Sequence, residues 1–357
     1  MSDRLDLRTL NRTTLHRQHL LERVDWSASS MLDYLVGMQG QNPLDPYYGM
    51  WSRLVGFTPG ELASMVDASE AVRGQLMRGT IHMLGSEDFR RLRPVFDPLC
   101  ARILSSTQFG KDTKDLDLER LLQVGRALLE DAPRTRAELG PLLEEAFPGA
   151  PGASLAQAVT FLLPVVQPPP RGVWGRTGSA AWSILDPDPE DRADVESTKD
   201  RLILRYLAAF GPASVKDIRA WSGLTGIAAI VSRVRDRLRT YRDESGSEMM
   251  DLIDAVIIDP DALAPPRFLP EYDNVLLGHA DRSRFFDGPT PPGWAGNLLV
   301  DGTYAGHWKI SRNELAITLQ RKVTSRQRRQ VTDEAERLVA LTGSPGEPDS
   351  LQVPLME

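Results

Sequence analysis

The stretch Met38-Gln39-Gly40-Gln41-Asn42-Pro43 places two glutamines two residues apart where an amphipathic run ends. Glycine often ends a helix, and a residue before proline avoids the helical conformation, so we predict that a helix over residues 27–38 stops at the glutamines. Residues two apart point about 200° away from each other in a helix but share a side in an extended segment. Both amides can therefore converge on one point beyond the helix, or they can bind free carbonyls at its end as a structural feature.

The composition is that of an ordinary globular protein. Of 357 residues, 41% are hydrophobic and 25% charged, and this length predicts two or three domains. No apolar run approaches the roughly 20 residues of a membrane span, and the first residues lack a signal-peptide core, so we expect a cytoplasmic protein. Cys100 is the only cysteine and the five histidines lack metal-ligand spacing, so we expect no disulfide, no metal and no cofactor. We further expect a monomer.

Charge is segregated along the chain. The net charge of −7 argues against bulk affinity for nucleic acid, because neutralising phosphates requires lysine and arginine. Arginine is nevertheless concentrated between residues 233 and 242, on a predicted helix and the strand that follows it. A solvated arginine face is the simpler explanation of any single residue there, whereas the whole run favours DNA contact. The candidate DNA-binding residues of this run are Arg233, Arg235 and Arg237.

The order of predicted elements repeats three times. Helices followed by a β-hairpin, the order of a winged-helix module, recur along the first two thirds of the chain. A proline cluster from residue 260 then introduces a β-rich C-terminal domain with a closing helix. The predicted fold class is α+β, with module 1 over residues 1–104, module 2 over 105–190, module 3 over 191–258 and the C-terminal domain over 259–357.

Local signals predict several element boundaries. In module 2, residues 165–169 and 173–176 are expected to pair as a short wing, and the prolines at 168–170 exclude a central strand there. Three sites have the spacing of a capping box, in which a hydroxyl and an acidic side chain three residues later satisfy the free amides of a helix start. They are Thr58 with Glu61, Thr135 with Glu138, and Ser214 with Asp217.

Two further segments are dense in polar residues. In Arg78-Gly79-Thr80-Ile81-His82, strand alternation would put Arg78, Thr80 and His82 on one face, which marks either solvent or a polar cleft. A lone histidine is more often structural. The segment 271–284 contains His279 and Arg282, and it is either a loop held by Asp and Asn side chains or a loop that contacts DNA. All five residues are candidate DNA contacts.

These motifs resemble those of the AlkZ/YcaQ family of winged-helix DNA glycosylases, in its AlkZ-like branch, over almost the whole chain. The resemblance rests on Gln39-Gly40-Gln41, on residues 78–82, and on two longer stretches, 269–282 and 300–308. It implies three tandem winged-helix modules and a barrel-like C-terminal domain, arranged as a C with a concave DNA cleft. The catalytic motif of the AlkZ branch is Gln, an aliphatic residue, then Gln. In the YcaQ branch, Asp replaces the second Gln. This chain differs from the AlkZ motif at its middle residue, where Gly40 replaces the aliphatic residue.

The resemblance implies excision of N7-alkylated purines from double-stranded DNA. For the AlkZ branch it also implies the removal of bulky adducts and interstrand crosslinks made by genotoxic antibiotics, which serves as self-resistance. N7 alkylation gives guanine a positive charge and makes it a good leaving group, so no general acid is needed. We hypothesise a monofunctional glycosylase in which Gln39 and Gln41 orient the attacking water. The alternative is a winged-helix DNA-binding or regulatory protein without catalysis, which does not require two amides open to a cleft.

Overall fold

The computed structural model describes residues 4–187, 194–288, 293, 295–311, 314–342 and 355–356. In module 1, short helices precede a β-hairpin and a long helix follows it. A 3₁₀ turn, Met77–Gly79, joins the two strands of the hairpin. The helices are α1 (Leu7–Arg17), α2 (Ala28–Tyr34), α3 (Asp45–Arg53), α4 (Pro59–Asp67) and α5 (Ser86–Ser105), and the strands are β1 (Met38–Gln39), β2 (Ala71–Gln75) and β3 (Ile81–Gly85).

Helix α2 ends at Tyr34 rather than at the predicted Met38. Val36 and Gly37 adopt positive φ angles of 58° and 81°, which a right-handed helix does not accommodate. A Cβ on Gly37 would lie 2.9 Å from the Met83 carbonyl oxygen, so this turn favours glycine. Gly37 therefore ends the helical region in place of Gly40, and the chain is already extended at Gln39.

Module 2 contributes strands to the same sheet as module 1. Its helices are α6 (Gln108–Thr113), α7 (Leu118–Asp131), α8 (Arg136–Ala146) and α9 (Gly152–Leu162), and its strands are β4 (Arg134–Thr135), β5 (Val165–Gln167) and β6 (Ala181–Ile184). The sheet has the order β1-β3-β2-β5-β6-β4, and each neighbouring pair is antiparallel. The modules meet where Arg73 of β2 pairs with Gln167 of β5.

The wing of module 2 differs from the prediction. Strand β5 pairs with β6, with Val165 opposite Ile184, and not with residues 173–176. The Tyr47 hydroxyl donates to the Gly172 carbonyl at 2.7 Å and accepts from the Trp174 amide at 3.1 Å. Because these hydrogen bonds hold the segment against α3, it packs on module 1 as a loop instead of pairing with β5.

Module 3 has the predicted order of elements, with helices followed by a hairpin. The predicted third helix over residues 226–237 divides at Val234, whose φ and ψ of −106° and 14° lie outside the α region. A 3₁₀ turn, Arg235–Arg237, follows it. The helices are α10 (Val195–Phe210), α11 (Val215–Ser222) and α12 (Ile227–Arg233), and the hairpin consists of β7 (Leu238–Arg242) and β8 (Glu248–Leu252).

The capping boxes at α8 and α11 form as predicted, but the one at α4 does not. Thr58 makes no side-chain cap hydrogen bond at the start of α4. The Glu61 carboxylate instead accepts from the Ala28 amide at 2.6 Å, which links α4 to the first residue of α2. The two that form have both reciprocal hydrogen bonds: Thr135 with Glu138, and Ser214 with Asp217.

The C-terminal domain contains an open sheet and not the predicted barrel-like one. Its described strands have the order β13-β12-β11-β10-β9, and the two edge strands do not pair with each other. Strand β9 lies against α3 and the closing helix, which cover it. The elements are β9 (Arg267–Leu269), α13 (Asn274–Leu277), β10 (Gly296–Val300), β11 (Thr303–Ser311), β12 (Glu314–Leu319), α14 (Ser325–Thr342) and β13 (Leu355–Met356).

Hydrophobic packing connects parts of the chain that are far apart in sequence. One cluster of buried side chains runs through modules 1 and 3 and the C-terminal domain, and includes Leu32, Leu207 and Phe268. A second cluster lies mainly in module 2 and includes Leu155 and Trp182. The predicted boundaries at residues 104, 190 and 258 stay predictions, because the shared sheet and the shared core extend across them.

Candidate active site and nucleic-acid interface

Gln39 lies in β1 with its side chain enclosed. It pairs with His82 of β3, and only 6% of the residue is exposed. Arg78 donates a hydrogen bond from Nη2 to Oε1 of Gln39 at 2.6 Å. Only the oxygen of an amide can accept from a guanidinium, so this bond sets the orientation of the amide. In the part of the chain that the structure describes, no group accepts a hydrogen bond from Gln39 Nε2.

Arg78 connects Gln39 to module 3. Its Nη1 donates to the Trp221 carbonyl, near the end of α11, at 2.6 Å. Its backbone has a φ of 57°, in the left-handed region that residues other than glycine rarely adopt. Burial lowers the pKa of Arg78 to about 10, and the charge of Arg282 contributes to this shift. The guanidinium is therefore charged at neutral pH, while both of its hydrogen-bond acceptors are neutral.

Gln41 is exposed and lies at the edge of a cleft between modules 1 and 2. Its Oε1 accepts from the Ile81 amide at 3.4 Å, which is a long hydrogen bond. The cleft has a volume of about 590 Å³, and the described residues that line it include Gln41 but not Gln39. The convergence of the two amides on one water therefore stays a prediction. We call this space the arginine cleft, after the residues Arg73, Arg136 and Arg171 in its lining.

Arg73 is the buried cation of the arginine cleft. Only 1% of it is exposed, yet it donates to the Gly40 carbonyl and to Oε1 of Gln167, both neutral and both at 2.6 Å. Burial lowers the pKa of Arg73 to about 10, and the nearby charge of Arg171 adds to the shift. The guanidinium still carries its charge at neutral pH. It also holds Gly40, the central residue between the two glutamines, in place.

The other two arginines of the cleft come from module 2. Arg136 donates from Nε to the Thr160 hydroxyl at 2.7 Å, and its guanidinium lies 5.1 Å from the centre of the Trp182 ring. Burial lowers the pKa of Arg136 to about 10. Arg171 donates to the Gly178 carbonyl at 3.1 Å. The hydrogen-bond acceptors of both guanidiniums are neutral.

The predicted contacts Thr80 and His82 lie beside Gln39 and Gln41, but only His82 is directed inward, whereas Thr80 is half-buried and lines the arginine cleft. His82 is fully buried, and its Nδ1 lies 3.1 Å from the Thr80 carbonyl. Burial, together with the charge of Arg78, lowers the pKa of His82 to about 3, so the ring is neutral at physiological pH. The Thr80 hydroxyl donates to the Met77 carbonyl at 3.1 Å. In this structure both residues support the loop that carries Arg78.

The predicted arginine run of module 3 is partly neutralised by carboxylates. Arg233 forms an ion pair with Asp200 at 2.6 Å, and Arg235 forms one with Glu248 at 3.0 Å. Exposed pairs of this kind are weak, so a phosphate can replace the carboxylate at little cost. Arg237 is exposed within the 3₁₀ turn. Contact of these residues with DNA stays a prediction.

His279 and Arg282 have different surroundings. His279 is 4% exposed, and its Nε2 lies 3.0 Å both from the Phe210 carbonyl and from Nη1 of Arg284. Burial lowers the pKa of His279 to about 3, and the charge of Arg284 contributes. In this position the ring joins the C-terminal domain to α10 and does not reach the surface. Arg282 is exposed and lies close enough to Arg78 to lower its pKa.

The arginine cleft was not predicted from the sequence. Arg73 lies in β2, Arg136 opens α8 and Arg171 lies in a loop, so neither a motif nor a regular spacing connects them. Pairing of β2 with β5 and packing of the 171–174 loop on Tyr47 bring them together. The sequence offers one signal, Arg171 beside Gly172 after the proline run, in the segment predicted to form the wing of module 2.

The residues that the structure describes form neither a metal site nor a membrane span. No group of three or more His, Cys, Asp and Glu side chains is placed to hold a metal ion. No helix has both the length and the apolar character needed to cross a membrane.

The family described as "DNA glycosylase AlkZ-like" matches residues 32–341 of this chain. The structure of Streptomyces sahachiroi DNA glycosylase AlkZ is similar to this one, with a TM-score of 0.71 and 20% sequence identity over 99% of this chain and 100% of that chain. No curated protein sequence matches the chain. At 20% identity the structural similarity establishes the fold, whereas the family match extends over most of the sequence. The chain therefore belongs to the family of AlkZ-like DNA glycosylases.

Proposed function

We propose that this protein hydrolyses the N-glycosidic bond of N7-alkylated guanine in double-stranded DNA, with a water positioned by Gln39 and Gln41. The observation that carries the proposal is the combination of a fixed amide and an exposed amide beside an arginine-lined cleft. Gln39 is oriented by Arg78, and Gln41 is accessible at the edge of the cleft.

The chemistry suits a site without a titrating acid or base. The described lining of the arginine cleft contains no aspartate, glutamate or histidine, and the nearby His82 is neutral. An N7-alkylated guanine leaves as a neutral base, so the departing group needs no proton. The site then has only to place a water against the sugar and to stabilise the developing oxocarbenium ion by amide dipoles, and the proton that the water loses on forming the C–O bond passes to solvent. Unmodified bases are poor leaving groups and would be spared.

The two amides have separable roles in this proposal. The Oε1 of Gln39 has a second lone pair beside the one that Arg78 occupies, so it can accept a hydrogen from the water without releasing Arg78. The Oε1 of Gln41 is held only by a 3.4 Å hydrogen bond from Ile81, which a water can replace. Arg78 acts in this scheme as a positioning residue for Gln39.

We further propose that the enzyme is monofunctional and that it acts in the cytoplasm as a monomer. A lyase step needs an amine nucleophile, and the described lining of the cleft contains no lysine. Bulky adducts and interstrand crosslinks of a genotoxic natural product are included among the substrates, because Gln41 is exposed at the cleft edge and not enclosed in a pocket. DNA repair and antibiotic self-resistance are the corresponding biological roles.

The test is base release from duplexes that contain N7-methylguanine and from duplexes crosslinked by a DNA-alkylating antibiotic. Wild type is compared with the Gln39→Ala/Gln41→Ala double variant, and with Gln123→Ala on the exposed face of α7 as a control. We expect loss of release only in the double variant, and abasic sites without strand cleavage or borohydride trapping. Equal release by the double variant would remove the catalytic assignment. No release from any adduct by wild type would favour a non-catalytic DNA-binding protein.

A further inference from the structure

The arginine cleft is positively charged in a chain whose net charge is −7. Its described lining contains three arginines and no aspartate or glutamate. The hydrogen bonds of these guanidiniums end on neutral acceptors, namely the Gly40 carbonyl, Gln167, Thr160 and the Gly178 carbonyl. The positive charge of the cleft is therefore uncompensated within the part of the chain that the structure describes.

Most buried arginines elsewhere in the described part of the chain form an ion pair with a carboxylate, and Arg284, which does not, lies near the charge of Asp217. Burying a cation without a counter-charge is unfavourable, which is why buried arginines are normally paired. Arg73, with 1% exposure, departs from this pattern. An anionic ligand that enters the cleft would supply the missing charge. The carboxylate-paired arginines are Arg17 with Asp251, Arg53 with Asp273, Arg12 with Asp301 and Arg267 with Glu334.

The sign of the charge decides which part of a DNA lesion fits the cleft. An N7-alkylated guanine is a cation, and three guanidiniums repel it. A backbone phosphodiester is an anion whose oxygens match the planar donors of arginine. Arg136 is already oriented by the Trp182 and Phe161 rings, at 5.1 and 6.0 Å, so little side-chain freedom is lost when it binds.

We infer that the arginine cleft binds a backbone phosphodiester of the lesion-bearing strand beside Gln41, and that the alkylated base stays outside it. The inference rests on the proposed function for the identity of the DNA. It assigns Arg136 and Arg171 as phosphate contacts from module 2, with Arg73 behind them as a buried cation. The phosphate then sets the distance between the sugar and Gln41.

The experiment measures binding to a duplex with one 7-methyl-2′-fluoro-2′-deoxyguanosine, in which the fluorine keeps the glycosidic bond intact. A neutral methylphosphonate replaces each flanking phosphate in turn. Wild type is compared with Arg136→Gln and Arg171→Gln. The matched control is Arg126→Gln, an arginine of the same module that is paired with Asp186 at 2.7 Å and does not line the cleft. Melting temperatures confirm folding, and if Arg136→Gln fails to fold, Arg171→Gln carries the comparison.

At one position, we expect the methylphosphonate to weaken binding by wild type about tenfold. The same methylphosphonate should not change the affinity of Arg136→Gln or Arg171→Gln, because these variants have already lost the phosphate contact. The salt dependence, log K against log salt concentration, should become shallower by about 0.9 for each lost phosphate contact, and the control should keep the wild-type slope. Equal sensitivity of variants and wild type at every position would overturn the inference. The fluorinated duplex is not hydrolysed, so this binding test does not depend on base excision. If the methylphosphonate affects wild type and not the cleft variants, but wild type releases no base from N7-methylguanine duplexes, the result would count against the proposed function alone.

Discussion

Nη2 of Arg78 lies 2.6 Å from Oε1 of Gln39, and Nη1 of the same guanidinium lies 2.6 Å from the Trp221 carbonyl oxygen. One planar group thus ties the proposed catalytic amide in β1 to the end of α11 in module 3. Because the donors of a guanidinium have fixed directions, both bonds require modules 1 and 3 to keep this arrangement. The orientation of Gln39 therefore depends on packing between segments that are distant in sequence.

Replacement of Arg78 by methionine should lower the rate of base excision. Arg78→Met keeps the apolar stem and removes both hydrogen bonds, so Gln39 loses the contact that orients it. We expect the single-turnover rate at saturating DNA to fall about 10- to 100-fold, a range typical of a misplaced catalytic group.

The matched control for this change is Arg102→Met. Arg102 also donates to a carbonyl of module 3, that of Gly223 at 2.7 Å, but it is exposed and does not contact Gln39. Its rate should match wild type. In a Gln39→Ala background, Arg78→Met should have little further effect; full additivity of the two losses would show that Arg78 does not act through Gln39.

The rate of base excision should be independent of pH between about 5 and 9. The pKa of His82 is lowered to about 3, and those of Arg73, Arg78 and Arg136 are lowered only to about 10, so these groups do not titrate in this range. The measurement is single-turnover release of N7-methylguanine across the pH range. A bell-shaped profile near neutrality would reveal a general acid or base and contradict the proposed mechanism.

Asp45 should make folding stability depend on pH. The residue is 3% exposed, and burial, followed by the charge of Glu271, raises its pKa to about 8. An acid whose pKa is higher in the folded protein than in the unfolded chain lowers the free energy of unfolding as pH rises. For Asp45 this loss of stability develops between about pH 4 and pH 8. Asp45→Asn should therefore raise the melting temperature by several degrees at pH 8 and change it little at pH 4.

The control for Asp45→Asn is the same change at Asp115, whose side chain is 88% exposed. Asp115→Asn should leave the pH dependence as in wild type. A constant difference between Asp45→Asn and wild type from pH 4 to pH 8 would mean that Asp45 ionises in the folded protein as it does in the unfolded chain.

Gly40, the residue between the two glutamines, should tolerate alanine. A Cβ there would lie 3.6 Å from the nearest atoms, which is ordinary contact, and the φ angle is outside the left-handed region. Gly40→Ala should stabilise the protein by about 0.4–1 kcal/mol through the unfolded chain. Gly74→Ala in β2 should instead cost about 1–3 kcal/mol, because its Cβ would overlap the Phe89 ring. Urea denaturation measures both, and a loss of stability in Gly40→Ala would contradict the assigned geometry.

The ion pair of Arg53 and Asp273 should be costly to break from one side. Both residues are buried, and the two hydrogen bonds between them measure 2.7 and 2.8 Å. Asp273→Ala leaves an uncompensated buried cation and should cost about 3–5 kcal/mol in the free energy of unfolding. The double change Arg53→Met/Asp273→Leu should cost less than Asp273→Ala alone. A double variant less stable than the single one would mean that the pair itself, and not the unpaired charge, dominates.

Local signals in the sequence predicted much of the secondary structure. Helix α10 and strand β12 have the predicted limits, Val195–Phe210 and Glu314–Leu319, and the capping boxes at α8 and α11 form as expected. These features depend on residues a few positions apart, whose periodicity and hydrogen bonds act within one element. The motifs around Gln39 and Gln41 also indicated the family that the comparison confirmed.

The sequence by itself thus determined the order of elements, the family and the extended backbone at Gln39, whereas Gln41 lies in a bend beyond the strand. Only the tertiary structure decided that β5 pairs with β2 and β6, that the C-terminal sheet is open, and that Arg78 binds Gln39. The tertiary structure also decided that both hydrogen-bond acceptors of Arg73 are neutral. Strand partners and counter-charges come from segments far apart in the chain. Local propensity depends only on neighbouring residues, so it cannot predict which distant group will pair with a given strand or charge.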